Sequence, residues 1–387
     1  MFLDTVLTRN PELVDAAAEL HRGGAIPPDT YVMDLDAVEG NAAMLAAEAE
    51  RLGLGLWFVV KQIGRNPELI KAIARHLPAF AAIDAPEARV LHASGARAGN
   101  LGHLVQIPDR DLAELLGWRP ETVTVYDAAN ARAVSAAAER LGFVQDLLVR
   151  LEGAAGSVYP GQEGGVRLDR LDTFAAEVER LPGVRIAGAT AFPCVLCDPV
   201  SGKPGPTPNF DLALAAVEVL RERGHSGLKL SAPSATSMAT LPLLAELGAT
   251  HGEPGHALTG TTPLHAVDPR QPEKPGYVYV SEVAHTLSDG RPALYGGGFY
   301  ARASIKDALL PRSGVRLPVQ HAPAENIDYY RLLDAPAEAA RARVGDTAVL
   351  AFRTQIFVTR SNVAVLAGLS SGRPRLLGLY DALGRAQ

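Results

Sequence analysis

The sequence predicts an α/β protein: a (β/α)8 TIM-type barrel followed by a mainly β C-terminal domain. Three observations carry this. Between residues 56 and 251, short apolar runs alternate with amphipathic stretches, the pattern of parallel strands joined by helices. The runs number eight, as barrel closure requires. Beyond residue 265 the helical texture stops, and β-rich runs separated by turn residues take over.

Residues 10–22 (NPELVDAAAELHR) read as a helix, stopped by Gly23-Gly24 and Pro27-Pro28. YVMDL (31–35) is a short strand, and Asp36 is placed to cap the helix that follows, AVEGNAAMLAAEAERLG. The barrel strands are expected at 56–60 (LWFVV), 80–83 (FAAI), 103–107 (HLVQI), 122–126 (TVTVY), 146–151 (DLLVRL), 184–190 (VRIAGAT), 228–231 (LKLS) and 248–251 (GATH). A doubly wound open sheet shares this alternation, but no Gly-rich turn follows the first strand. HAVDPRQPEKPG is a Pro-rich connector, and YVYVSEVAHTL, PALYGGGFY, TAVLAFRTQIFVT, VAVLAGL and RLLGLY follow as strands. The expected organisation is an N-terminal helix and strand over 1–36, the strand joining the β domain, a barrel over 37–265, and a β-rich domain over 266–387.

Composition narrows the function classes. A hydrophobic fraction of 47% supports large buried cores. The net charge of -6 comes without a basic stripe, so nucleic acid is not an expected partner. No run of 18 uncharged apolar residues exists, and the first residues (MFLDTVLTRN) lack a signal-peptide core, so neither a membrane span nor export is expected. Two cysteines in 387 residues fit a reducing, cytoplasmic setting. Cys194 and Cys197 form one C-x-x-C, half of a structural zinc site, and no metal is expected there.

Lysine is scarce: Lys61, Lys71, Lys203, Lys229, Lys274 and Lys306 are all there are. Lys61 ends the apolar run WFVVK, at the C-terminal mouth of the first barrel strand, where barrels place catalytic groups. A lysine desolvated there forms Schiff bases readily; a surface lysine snorkelling from a strand end has the same pattern. LKLSAPSATS (228–237) and THGEPGHALTG (250–260) are the turns after the seventh and eighth strands, the recurrent phosphate site of this fold. There Ser234 offers a hydroxyl, and Gly255 and His256 offer backbone N–H groups. Read individually, both are also ordinary tight turns.

The combination resembles the alanine-racemase-like enzymes (fold type III) that use pyridoxal 5′-phosphate, PLP. The strings MDLDAVEGN, VVKQIGRNPEL, GHLVQIP, YPGQE, PSATS, EPGHALTG, YGGGFY and FRTQIFVTRS resemble the YhfX-type subgroup of predicted amino-acid racemases. The resemblance implies Lys61 as the cofactor lysine and Ser234, Gly255, His256 and Tyr380 around the phosphate. Glu253 stands where racemases carry an arginine beside the pyridine nitrogen, as in the decarboxylases similar to this fold; a carboxylate there favours the protonated ring, the stronger electron sink. YGGGFY resembles the G-Y-x-D-G motif that brings the second base across a dimer; Tyr295 matches the tyrosine, and Gly297 stands where the motif has Asp. His103 is placed to stack on the cofactor. Arg353 and Thr354 match a stretch that binds substrate carboxylate. The substrate arginine that racemases carry after the fifth strand is missing; Gln162 and Glu163 stand in that loop, and Ala191 replaces an expected histidine.

The implied activity is PLP-dependent chemistry at the α-carbon of an amino acid, most simply racemisation or epimerisation by a homodimer. Lys61 and Tyr295 would be its opposite-face bases, with an amino acid or amine as substrate. Decarboxylation, or lyase or dehydratase action on a D-amino acid, is the alternative on the same scaffold. A PLP-binding homeostasis protein without turnover is the alternative of another class, and the extra β domain speaks against it.

Overall fold

The computed structural model describes residues 2–198, 201–300, 305–323, 326–335 and 341–387. It divides into two compact units: one made of 1–42, 60–72 and 256–387, the other of 43–59 and 73–255.

The second unit is the barrel. Its strands are Gly55–Leu56, Ala79–Ala81, Arg97–Leu101, Thr122–Val125, Gln145–Arg150, Val184–Thr190, Lys229–Ser231 and His251–Gly252. Successive strands pair in parallel, and His251–Gly252 returns to Gly55–Leu56. Phe58 closes the remaining gap: its N–H donates to Ala79 O and its carbonyl accepts from Ala81 N, both at 3.0 Å. Thr122–Val125 is buried throughout, as a strand covered on both faces must be. The helix Ala128–Arg140 shows how the outer layer forms. Asp127 caps it by accepting from Asn130 N at 2.8 Å, and its buried stripe is Ala131, Val134, Ser135, Ala137 and Ala138.

The third strand corrects the sequence reading. It is Arg97–Leu101, not 103–107, which follows it as a loop. The reason lies in packing. Trp57 clusters with Val59, Ala79, Ala81 and Leu148, and its indole N–H donates to Glu121 at 2.9 Å. A Cβ on residue 99 would run into the Trp57 ring. Glycine is therefore demanded in mid-strand, and it hides the strand from a pattern search.

Among the described residues the first unit is built on a nine-stranded, mostly antiparallel sheet. Thr30–Asp34 lies near its middle, antiparallel to Tyr277–Thr286 and parallel to Asn362–Ala367, with all five residues buried. Helices Phe2–Arg9 and Pro11–Arg22 cover one face; Leu13, Val14 and Ala17 pack with Val32, Val278, Val280, Val349 and Ala364. The first of these helices was not expected from the sequence. Asp36 is not a cap: the helix Leu35–Leu52 starts before it, and Ala37 N donates to Asp34 Oδ1 at 3.2 Å. Asp36 instead accepts from the backbone of Gly368 and Ser370 and from the Ser370 hydroxyl. Segment 60–72, with Lys61, belongs to this unit. Among the described residues no helix is long and apolar enough to cross a membrane.

Candidate active site

At the C-terminal mouth of the barrel, a buried arginine organises three loops. Arg150, the last residue of the fifth strand, is 1% exposed. It donates to the carbonyls of His103 at 3.0 Å, Gln162 at 2.7 Å and Gly164 at 3.3 Å. It also lies over the Tyr126 ring, 4.9 Å from its centroid. The Tyr126 hydroxyl donates to the same His103 carbonyl at 2.6 Å. His103 itself is buried, its ring edge-on to Phe192 at 5.9 Å. Gln162 Oε1 is buried without a hydrogen bond among the described residues. Glu163 lines a cavity with Glu152, Gly164 and Arg167. The sequence reading passed over Arg150, although the cue was the one applied to Lys61, a cation ending an apolar strand.

Two turns beside it are stitched together. Ser234 and Ala235 both take left-handed backbone, φ 89° and 50°, which non-glycine residues adopt only where something requires it. The Ser234 hydroxyl is spent on Val195, accepting from its N–H at 3.1 Å and donating to its carbonyl at 2.6 Å. Both roles of the Ser234 hydroxyl, donor and acceptor, are thus used within the protein. Thr236 accepts from Glu253 N at 2.9 Å, and a Cβ on Gly252 would press on Thr236 Cγ2 at 3.0 Å. Gly255 follows directly and is buried. Burial pushes the Cys194 thiol up to about 12, with the Glu253 carboxylate pushing the same way, so this cysteine is an inert neutral thiol.

The remaining candidates lie in the first unit. Lys61 opens a chain of turns over 61–65, and its carbonyl accepts from Phe357 N at 3.4 Å. Gly64 is left-handed, and a Cβ there would meet Val363 at 2.9 Å and Ile356 at 3.0 Å. Asn66 caps the helix Pro67–Ala74, accepting from Glu68 N and Leu69 N at 3.0 and 3.2 Å. The backbone carrying Lys61 is thus pinned on both sides. His256 Nδ1 pairs with Thr261 Oγ1 at 3.2 Å. Tyr380 lies in the strand Arg375–Asp381 opposite Val363; burial raises its phenol above the ordinary value, and Glu68 adds to the rise. Arg353 is half-buried. Thr354 is fully buried: it donates to Tyr300 O at 2.8 Å and accepts from the Tyr31 hydroxyl at 3.3 Å. Its hydroxyl thus serves the core. Tyr295 ends the strand Pro292–Tyr295 and is 49% exposed.

Comparison with known proteins agrees with this architecture. Residues 33–263 match the family model for the alanine racemase N-terminal domain, and the chain belongs to that family of PLP enzymes. Residues 278–376 match the model of the YhfX-like C-terminal domain. The uncharacterized protein YhfX of Escherichia coli (strain K12) is 39% identical over 391 residues, covering 100% of this chain and 99% of that one. Among solved structures, D-threonine aldolase from Filomicrobium marinum superposes with TM-score 0.70 at 16% identity, over 92% of this chain and 95% of that one. D-threo-3-hydroxyaspartate dehydratase from Delftia sp. HT23 gives 0.66 at 16%, over 91% and 97%. Alanine racemase from Corynebacterium glutamicum gives 0.63 at 15%, over 84% and 90%. These likenesses concern the fold.

Enzymes of this family bind PLP. The barrel's residues fit it: after the seventh and eighth strands, where this fold recurrently binds phosphate, a left-handed Ser234–Ala235 turn is tied through Thr236 to the Glu253 backbone.

Proposed function

We propose that the protein is a PLP-dependent enzyme acting at the α-carbon of an amino acid, most simply a racemase or epimerase that works as a homodimer. The observation that carries this reading is Tyr295. It stands half-exposed at a strand end, where Ser281 Oγ donates to its carbonyl at 2.7 Å and Gly296 N donates to Tyr329 O at 2.9 Å. A tyrosine held out from so well-fixed a backbone suits delivery into a second subunit's site. Exposed Tyr300, Tyr329 and Tyr330 accompany it, the residue type enriched at interfaces.

When bound, the cofactor withdraws electrons from the α-carbon and acidifies its proton. Lys61 would hold it covalently, with the Ser234–Ala235 turn, Gly255, His256 and Tyr380 around the phosphate, and His103 beside the ring. The Lys61 amine would take a proton from one face of the α-carbon. Tyr295 of the other subunit returns one on the opposite face, as inversion requires. Arg353 and Gln162 receive the substrate carboxylate. Glu253 would stand by the ring nitrogen, where a carboxylate favours the protonated form.

The test is incubation of candidate amino acids in heavy water with chiral analysis. Exchange of the α-proton with interconversion of enantiomers is expected, and Tyr295→Phe should lose inversion while keeping part of the exchange. Release of carbon dioxide, ammonia or an aldehyde without inversion replaces the racemase reading by decarboxylase or lyase chemistry. Glu253 is the feature that favours this second reading. The similar aldolase and dehydratase stand beside it.

A further inference from the structure

Three glycines, Gly296–Gly298, follow Tyr295, and each answers to a close neighbour. A Cβ on Gly296 would lie 2.8 Å from the Tyr329 backbone, one on Gly298 would strike Ser361 Oγ, and one on Gly297 would collide with Oδ2 of Asp29. One carboxylate holds this turn by hydrogen bonds and a second lies against it. Asp328 accepts from the N–H groups of Gly297 and Phe299, both at 2.9 Å, and pairs with Arg331 at 3.3 Å. Asp29 comes from the segment before the central strand. It is 7% exposed, with left-handed backbone at φ 60°. Its Oδ1 accepts the Tyr279 hydroxyl at 2.9 Å and the Ser361 hydroxyl. The Tyr31 hydroxyl donates to Gly298 O from below. Asp29, Tyr295, Gly296, Tyr329 and Arg360 line one cavity of about 660 Å³.

Position 297 lacks the Asp of the G-Y-x-D-G pattern, and the Asp29 carboxylate stands where a side chain on residue 297 would begin. We propose that Asp29 is the positioning residue of the Tyr295 turn: it supplies, from a distant part of the chain, the carboxylate that position 297 lacks, and its charge state sets how the turn and Tyr295 are held. The groups facing it are Tyr31, Tyr279, Asp328 with its partner Arg331, and Arg360. Burial lifts the Asp29 carboxyl to about 6; Asp328 pushes the same way, while Arg360 and the hydroxyls of Ser361 and Tyr279 oppose. Near neutrality it therefore passes from a neutral acid to a second negative charge beside Asp328. The catalytic consequence rests on the proposed role of Tyr295, but the turn's response to Asp29 does not.

The experiment places 3-fluorotyrosine at position 295 of the full-length holoenzyme and follows its fluorine resonance from about pH 4.5 to 7, a range that brackets the Asp29 value. The wild type should show a transition centred near the Asp29 value of about 6. Asp29→Asn and Asp29→Gly both suit the left-handed backbone, and Asn keeps an accepting oxygen for Tyr279 and Ser361. Loss of the transition in both variants, with cofactor content retained, is the expected result. A transition that persists in either variant, or its absence in the wild type, overturns the assignment. If the holoenzyme inverts no amino acid, the functional reading fails while the fluorine result still decides the role of Asp29.

Discussion

Replacing Arg150 by methionine separates its structural work from its charge. The three carbonyls it serves lie at 2.7 to 3.3 Å. Methionine fills much of the volume and donates nothing. The His103 carbonyl keeps the Tyr126 hydroxyl at 2.6 Å, so the carbonyls of Gln162 and Gly164 bear the loss. Leaving each unsatisfied costs about 1–3 kcal/mol. Against this, the variant no longer buries a cation, which returns part of the desolvation cost. The net destabilisation is about 2–4 kcal/mol, which for a unit of this size lowers Tm by roughly 5–15 °C. The damage is local. The neck of the loop survives, because Glu152 N still donates to Val166 O at 3.0 Å and Val166 N to Arg150 O at 2.8 Å. Calorimetry should therefore show the lower melt, and limited proteolysis should find new cuts within 153–164. Arg150→Lys should fall between, since one ammonium cannot span three carbonyls set out for a planar fork. An Arg150→Met protein with wild-type Tm and an uncut loop would refute the staple.

Three further outcomes are expected. Borohydride reduction of the yellow holoenzyme followed by peptide mapping should find the pyridoxyl label on Lys61; a label on Lys229, or none, removes Lys61 from its role. Mixing Lys61→Ala and Tyr295→Phe chains, neither of which should invert an amino acid alone, should restore part of the inversion in hybrid dimers, because one of the two sites regains both groups; no recovery after confirmed subunit exchange argues against a shared site. With its thiol held up at about 12, Cys194 is neutral at every working pH, so titration with a thiol reagent should read Cys197 alone in the native protein and both cysteines after unfolding; two fast thiols in the native state contradict this.

How far the fold could be read follows from how local its signals are. Strands such as Val184–Thr190 declare themselves, since seven consecutive residues carry the pattern. Arg97–Leu101 does not, because its Gly99 is chosen by Trp57, forty-two residues earlier in the chain. The N-terminal helix Phe2–Arg9 was missed for a related reason. Its apolar residues Phe2, Leu3 and Val6 are buried in a cluster completed by the second helix and by sheet residues far along the chain.

The same distinction runs through the site. Lys61 and the two turns proposed for the phosphate are contiguous strings, so the sequence offers them as candidates. Arg150 and Asp29 are single residues whose meaning arises from groups elsewhere: carbonyls after the third and fifth strands for one, a triple-glycine turn some 270 residues away for the other. Both are charged and nearly fully buried, a state that is costly without compensating partners. Neither position in the sequence signals burial. The absence of Asp at 297 was legible as a loss, but its replacement was not, because the replacing carboxylate arrives through space. Motif comparison alone would therefore score this chain as having discarded a carboxylate that its fold supplies from another segment.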